Sequence, residues 1–324
     1  MAFRLKLVPE KTSIDFFSIQ WLTFGSSIFL MVASVVLVAV MGLNFGVDFR
    51  GGTTIRTEST NAVDVGAYRA ALDPLKLGDI TITEVSDPSF RADRHVAQIR
   101  LGAREGEEAV TPEVINQLEG ALRAVDPQIV FASVESVGAK VSGELIWKAV
   151  GAVVLGALGI LVYVWVRFEW QIAVGTIASL IHDVLVTLGI FALFQIKFDL
   201  SIVAALLTIL GYSVNDCVVV FDRFRENLAK YKVMPLRDMM NLTANETLSR
   251  TVMTGSTTLL SLFALLIWGG DVIRGFVFAM ILGVLFGTYS TLYMAKNIVL
   301  FIGIDRRDKE KRKAEVDKYA DIGH

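Results

Sequence analysis

The 324 residues carry 53% hydrophobic and only 20% charged side chains, with a net charge of −2, a pI near 6.0 and a mean hydropathy of +0.55. That balance argues against a soluble globular chain, and it gives a nucleic-acid surface no charge to rest on. A single cysteine, Cys217, leaves no intrachain disulfide to form.

The apolar residues arrive in six charge-poor runs, each close to the ~20 residues that cross ~30 Å of hydrocarbon. A short segment, 1–21, precedes the first span at 22–43. That run is longer than the ~7–15-residue core of a signal peptide. Its removal would also leave five spans and set the start of the chain against its basic tail.

Residues 44–143 are soluble in composition and form a separate extracytoplasmic domain. Strands are expected at 53–58, 79–85, 94–101 and 128–137, with helices near 63–75 and 111–125. Val65, Tyr68, Leu72 and Leu75 fall on one face of the first helix, and Ile115, Leu118, Leu122 and Val125 repeat the spacing in the second. Thr111-Pro112 is a plausible N-cap and first turn. The order β-α-β-β-α-β is that of a ferredoxin-like α+β sandwich.

Five further spans follow, at 144–166, 171–194, 200–221, 251–268 and 275–302. The loop 222–250 contains a segment, opened by Pro235, in which Leu236, Met239, Met240, Thr243 and Thr247 share a face; it reads as a surface-lying stretch or a plain amphipathic connector. Gly283 and Gly287, four apart in the last span, permit close helix approach. Residues 303–324 are a basic tail. The short loops on one side hold 17 Lys and Arg and those on the other only Lys197 and Arg274, which places both termini in the cytoplasm.

Ionisable groups inside the spans are costly in hydrocarbon and mark functional sites. The fourth span contains Asn215-Asp216 and the third His182-Asp183. Asp216 lies roughly 8 Å to the cytoplasmic side of its helix centre at 1.5 Å per residue. Arg250, which opens the fifth span, falls at comparable depth, and its planar fork suits a carboxylate. Two readings remain for this pair: an ion pair opened by protonation, or a static polar contact with Arg250 snorkelling outward. His182 and Asp183 point ~100° apart, so only one of them need face a cavity.

Other chemistry is thinly represented. Gly211-Tyr212-Ser213-Val214-Asn215 departs from the G-x-S-x-G elbow at its last position, and no strand precedes it. Three histidines and one cysteine are too few for a metal centre, and no phosphate-binding loop occurs. The expectation is a non-enzymatic, ion-coupled component without cofactor or metal. Six spans are half of a transporter built on a repeat interface, so a second bundle is expected as partner.

"LNFGVDFRGGT" at 43–53, "SLIHDV" at 179–184, "LTILGYSVNDCVVVFDRFREN" at 207–227 and "LSRTVMTGSTTLL" at 248–260 together resemble the SecF side of the SecD/SecF family of protein-export membrane proteins, in the RND superfamily. The resemblance covers nearly the whole chain. It implies an RND-like bundle of six transmembrane helices carrying a ferredoxin-like domain, in the bacterial inner membrane with that domain periplasmic. It also implies use of the proton-motive force in late steps of export, with Asp216 and Arg250 on the proton pathway and Asn215, His182 and Asp183 as supporting polar groups. Asp48, Gly51 and Gly52 carry the motif after the first span. Implied partners are SecD, the SecYEG translocon, YajC, an exported unfolded polypeptide and membrane lipid. The rival readings are half of an RND-type exporter of lipids or small molecules, and a purely structural assembly factor.

Overall fold

The computed structural model describes residue 9 and residues 12–75, 77, 80–85, 94–102 and 110–304; most of the 1–11 segment and the basic tail from 305 lie outside them. Helix α1 (Gln20–Met41) leads into the two-residue strand β1 (Asn44–Phe45) and the single-turn helix α2 (Val47–Arg50). Gly51 and Gly52 then take positive φ values of 71° and 99°, a backbone region that a Cβ disfavours, and swing the chain into β2 (Gly52–Ser59).

The α+β domain continues with α3 (Val65–Leu72), β3 (Ile80–Val85), β4 (His95–Leu101), α4 (Pro112–Val125) and β5 (Val130–Val137). Its sheet is antiparallel in the order β3-β4-β2-β5, the ferredoxin-like arrangement. Tyr68, Leu72, Leu118 and Leu122 bury the helix faces against Ile55 and Ile99 of the sheet. Val125 is 43% exposed instead, because it ends α4 where the chain leaves the helix at Asp126. Asp126 fastens the domain: its carboxylate accepts from Asn61 Nδ2 at 2.7 Å, Tyr68 Oη at 3.1 Å and the Gln128 amide at 3.2 Å. Burial works to raise its pKa, but these bonds and one from Ser59 outweigh it and hold the carboxyl below the usual aspartate range.

The bundle comprises α1, α5 (Ala139–Arg167), α6 (Trp170–Leu193), α7 (Leu200–Lys230), α8 (Leu236–Trp268), and α9 (Asp271–Ser290) continued through a π-helical stretch, Thr291–Ala295, into α10 (Lys296–Ile302). Among the described residues these give six segments long and apolar enough to cross a membrane. Helices α6, α7 and α9 form the centre. Their contact is close because glycines face it: a Cβ on Gly283 would collide with Ile209, and one on Gly287 would stand 3.2 Å from Ser213. The Gly283/Gly287 spacing is therefore the α7–α9 packing face.

One expectation changes. Of the two readings of 222–250, the amphipathic connector holds and the membrane-surface stretch does not. These residues are the end of α7, the turn 231–235 and the beginning of α8, which runs unbroken for 33 residues, about 50 Å. The apolar face opened after Pro235 is buried in protein: Met239 and Met240 pack with Phe17, Phe221 and Phe224, and Thr243 accepts from Asn227 at 3.0 Å. Arg223 and Glu246, at 2.8 Å, pair the two helices further.

Candidate functional site

The site is assembled on α7. A fresh helix exposes unsatisfied amides at its start, and here two carboxylates take them. Asp199 accepts from the amides of Ser201 and Ile202 at 3.0 and 3.3 Å, and Asp48, from α2, accepts from the Leu200 amide at 3.0 Å. A parallel pairing of β1 with β6 (Lys197–Phe198) and a cluster of Phe45, Phe49 and Phe198 rings lock the same junction. The Asp-Phe-Arg-Gly-Gly motif thus joins the entrance of the α+β domain to the helix that carries Asp216.

Thirteen residues along α7, Ser213 enters the bundle centre. It donates to Asp183 Oδ2 at 2.7 Å, and Ser290 of α9 donates to the same oxygen at 3.0 Å. Asp183 Oδ1 lies 3.0 Å from His182 Nδ1, and both residues of the pair are fully buried. The imidazole neighbours the rings of Phe286 and Tyr289, at 6.3 and 6.1 Å between centroids, and Tyr289 Oη donates to the Thr23 carbonyl of α1 at 2.8 Å. Both members of the His182-Asp183 pair therefore face the interior, not one of them.

Asp216 and Cys217, next to each other, diverge by the helical ~100°. Cys217 turns inward, 3.2 Å from Thr291 Oγ1. Asp216 turns toward α8 at the edge of the bundle, 9% exposed. Its Oδ1 accepts from Thr251 Oγ1 at 2.9 Å, and Oδ2 has no hydrogen-bond partner among the described residues. The fork from Arg250 expected of this pair is not formed: Arg250 is exposed, and the hydrogen bond comes from its neighbour Thr251. Asn215 is exposed on the same side.

The edge where these groups lie differs from the rest of the surface. The outward faces of α1 and α5 present Leu22, Phe29, Val36, Leu155 and Val166, as lipid requires. Around Asp216 the exposed positions include Ala204, Thr208, Gly211 and Asn215 of α7 and Arg250, Thr254 and Thr257 of α8, whereas the far end of α8 exposes Leu260, Phe263, Leu265, Ile267 and Trp268 beside Ser261. Small and hydroxylated residues on such spacing let another helix approach closely.

Sequence reasoning found Asp216, Arg250, His182 and Asp183 because each is an ionisable interruption of an apolar run. It missed Thr251, Ser213, Ser290 and Tyr289, whose hydroxyls are common in spans and carry no such signal. Lys296 was legible as a cation within the last span and was passed over.

Two family models match the chain. Protein export membrane protein SecD/SecF, C-terminal, covers residues 117–305, and the SecD/SecF GG motif covers 36–63. The protein translocase subunit SecF of Cereibacter sphaeroides is 66% identical over 322 residues, 99% of each chain. SecF of Rhodobacter capsulatus is 64% identical over all of this chain and 98% of its own, and that of Rickettsia rickettsii 36% identical over 95% and 98%. Among solved structures, SecDF of Thermus thermophilus, titled a translocon-associated membrane protein, superposes with a TM-score of 0.79 at 33% identity over 91% of this chain. SecDF in a super-membrane-facing form gives 0.65 at 34% over 97%. The chain spans 39% and 41% of those two longer chains.

Proposed function

The chain belongs to the SecD/SecF family of protein-export membrane proteins, and from that premise we propose that it works beside SecD in the Sec translocase, using the proton-motive force to promote late steps of export across the inner membrane. The observation that carries this reading is the polar edge of α7 and α8. Asp216 has one unpartnered oxygen there, beside exposed Asn215 and Arg250, on a surface that suits a second helix bundle rather than lipid. A carboxylate held by a single hydrogen bond can gain and lose a proton without dismantling its surroundings. When it does, the Thr251 contact changes and α8 shifts against α7. The Asp48 cap on α7 then passes the change to the α+β domain, a two-state element that both ends can bias.

The partner set of this reading is SecD, then SecYEG and YajC, the exported polypeptide and surrounding lipid. Both termini are cytoplasmic on the charge bias, and the α+β domain is periplasmic. Energy comes from the proton gradient, with no cofactor and no hydrolytic step.

Co-purification after mild detergent extraction tests the reading. The wild-type chain should bring SecD with it. Leu at Gly211 and Thr257, both on the polar edge, should release SecD, whereas Leu at Val154 of the lipid-facing α5 should not. Retention of SecD by the Gly211→Leu, Thr257→Leu double variant would remove the edge from the interface.

A further inference from the structure

Three helices feed one buried polar column. Moving away from the α+β domain, α6 contributes Asp183, Ser179 and Thr176, α7 contributes Ser213 and Cys217, and the last helix contributes Ser290, Thr291 and Lys296, all buried. The upper members form two bonded groups, carried on neighbouring residues of the same helices. Ser213 and Ser290 meet Asp183, and Cys217 Sγ lies 3.2 Å from Thr291 Oγ1 and 3.5 Å from Ser179 Oγ. The lower members form no such group: Thr176 Oγ1, Gln171 Oε1 and Lys296 Nζ are buried without a hydrogen-bond partner among the described residues. Buried polar atoms left so are costly, and they need a reason beyond packing.

Lys296 is the lowest cation of the column. Its Nζ stands 4.6 Å from the Phe16 ring centroid and 5.5 Å from that of Phe17, and Arg237 covers Phe17 from α8 at 5.7 Å. Ring faces stabilise an ammonium but accept no proton from it. Both rings belong to an arm stitched to α8. The Ile14 amide donates to Asn245 Oδ1 and the Ile14 carbonyl accepts from Asn245 Nδ2, each at 2.8 Å. The Phe16 amide donates to Asn241 Oδ1 at 2.9 Å. Asn245 lies six residues before Thr251, about 9 Å along the helix. The helix that touches Asp216 therefore also holds the arm over Lys296.

We infer that this column is a proton path opening to the cytoplasm, with Lys296 as its last proton-holding group and the Phe16-Phe17 arm as its gate. The inference rests on the proton-coupled reading above. When the arm lifts, the Lys296 ammonium gives its proton to cytoplasmic water. The amine left behind is refilled from the Asp183 carboxylic acid by way of Ser290, a water molecule that links the two bonded groups, and then Cys217 and Thr291, each passing one proton on as it receives another. From Thr291 to Lys296 is five residues, about 7 Å along the helix, and a water molecule carries the proton over that step. The Asp183 carboxylate is then recharged from the far side. One proton crosses and nothing is oxidised.

Cys217, the only cysteine and fully buried in mid-column, is a built-in probe. Inside-out membrane vesicles holding the chain with SecD are treated with an impermeant cationic methanethiosulfonate. The wild type should label slowly, and Phe16→Ala and Phe17→Ala at least tenfold faster, with thermal stability measured in each to show that the fold persists. Lys296→Met, which keeps the bulk and removes the cation, should leave labelling slow yet cut the export response to an imposed proton gradient at least fivefold. Wild-type labelling rates in folded Phe16→Ala and Phe17→Ala, or a full gradient response in Lys296→Met, would overturn the column and its gate. In Asp216→Asn, a full gradient response would defeat the proton reading itself; a silent Asp216→Asn beside a normal Lys296→Met defeats only the column.

Discussion

Asp183 and Asp216 share one bundle and are built in opposite ways. Asp183 has no exposure, takes hydroxyl hydrogen bonds from α7 and α9 on one oxygen and meets His182 on the other. Asp216 takes a single bond from Thr251, keeps one oxygen unpartnered and reaches the bundle edge. A carboxylate ringed by donors from two further helices is part of the packing, so removing its side chain changes the architecture, even though a proton can pass through it along a bonded column. A carboxylate with one donor at an edge can change state while the architecture stays, which is what a coupling site requires.

The contrast breaks most visibly on removal of each group. Asp183→Ala leaves Ser213, Ser290 and His182 without their common acceptor in a dry interior, and should cost about 3 kcal/mol or more. Thermal melting of the detergent-solubilised complex, with recovery of folded protein, measures this. Asp216→Ala loses one hydrogen bond and should cost about 1 kcal/mol. Equal losses in the two variants would erase the distinction.

A second carboxylate tied like Asp183, but outside the membrane, sharpens it. Asp126→Asn should weaken the α+β domain by about 2 kcal/mol, since it replaces the charged acceptor of the Asn61 and Tyr68 bonds. Because its folded pKa is depressed, the contribution of Asp126 is fully present above about pH 4, the unfolded value, and is lost as pH falls through the lower folded value. Acid titration of the isolated domain, residues 44–143, followed by circular dichroism should show this loss in the wild type and a flatter profile in Asp126→Asn. Matching acid profiles would show that the ring of donors does not set this group's ionisation. A cooperative melt of that fragment is expected as well, because both helices and all four strands lie within it.

A stability change as small as that of Asp216→Ala is expected at the junction. Asp48→Ala removes one of the two carboxylate caps of α7 and should cost about 1 kcal/mol. If Asp48 transmits motion, the variant should lose more of the gradient response than of stability. Loss in equal proportion would make the motif a cap alone.

The sequence disclosed these regions unevenly. Spans and the β-α-β-β-α-β order were legible because hydrophobic runs and helical spacing are local properties, as in Tyr68 and Leu72 or Leu118 and Leu122. Asp216 and the His182-Asp183 pair were legible as charges in apolar runs. What surrounds them was not, because Ser213, Ser290 and Thr251 become donors only when three helices converge. Pro235 invited a separate amphipathic segment, yet it stands at the N-cap of α8, whose apolar face is claimed by Phe17, Phe221 and Phe224. Arg250 matched Asp216 in depth, but position around the helix decides contact, and Thr251 occupies it.

Export of a preprotein into inside-out vesicles, with and without an imposed proton gradient, tests the central claim most directly. Asn keeps the shape of Asp216 and its bond from Thr251 but cannot take up or release a proton. Asp216→Asn, assembled normally with SecD, should export at the rate of ungradiented wild-type vesicles under both conditions, and Asp216→Glu, which still titrates, should recover part of the response. A full response to the gradient in Asp216→Asn would contradict the account and leave Asp216 a static polar contact.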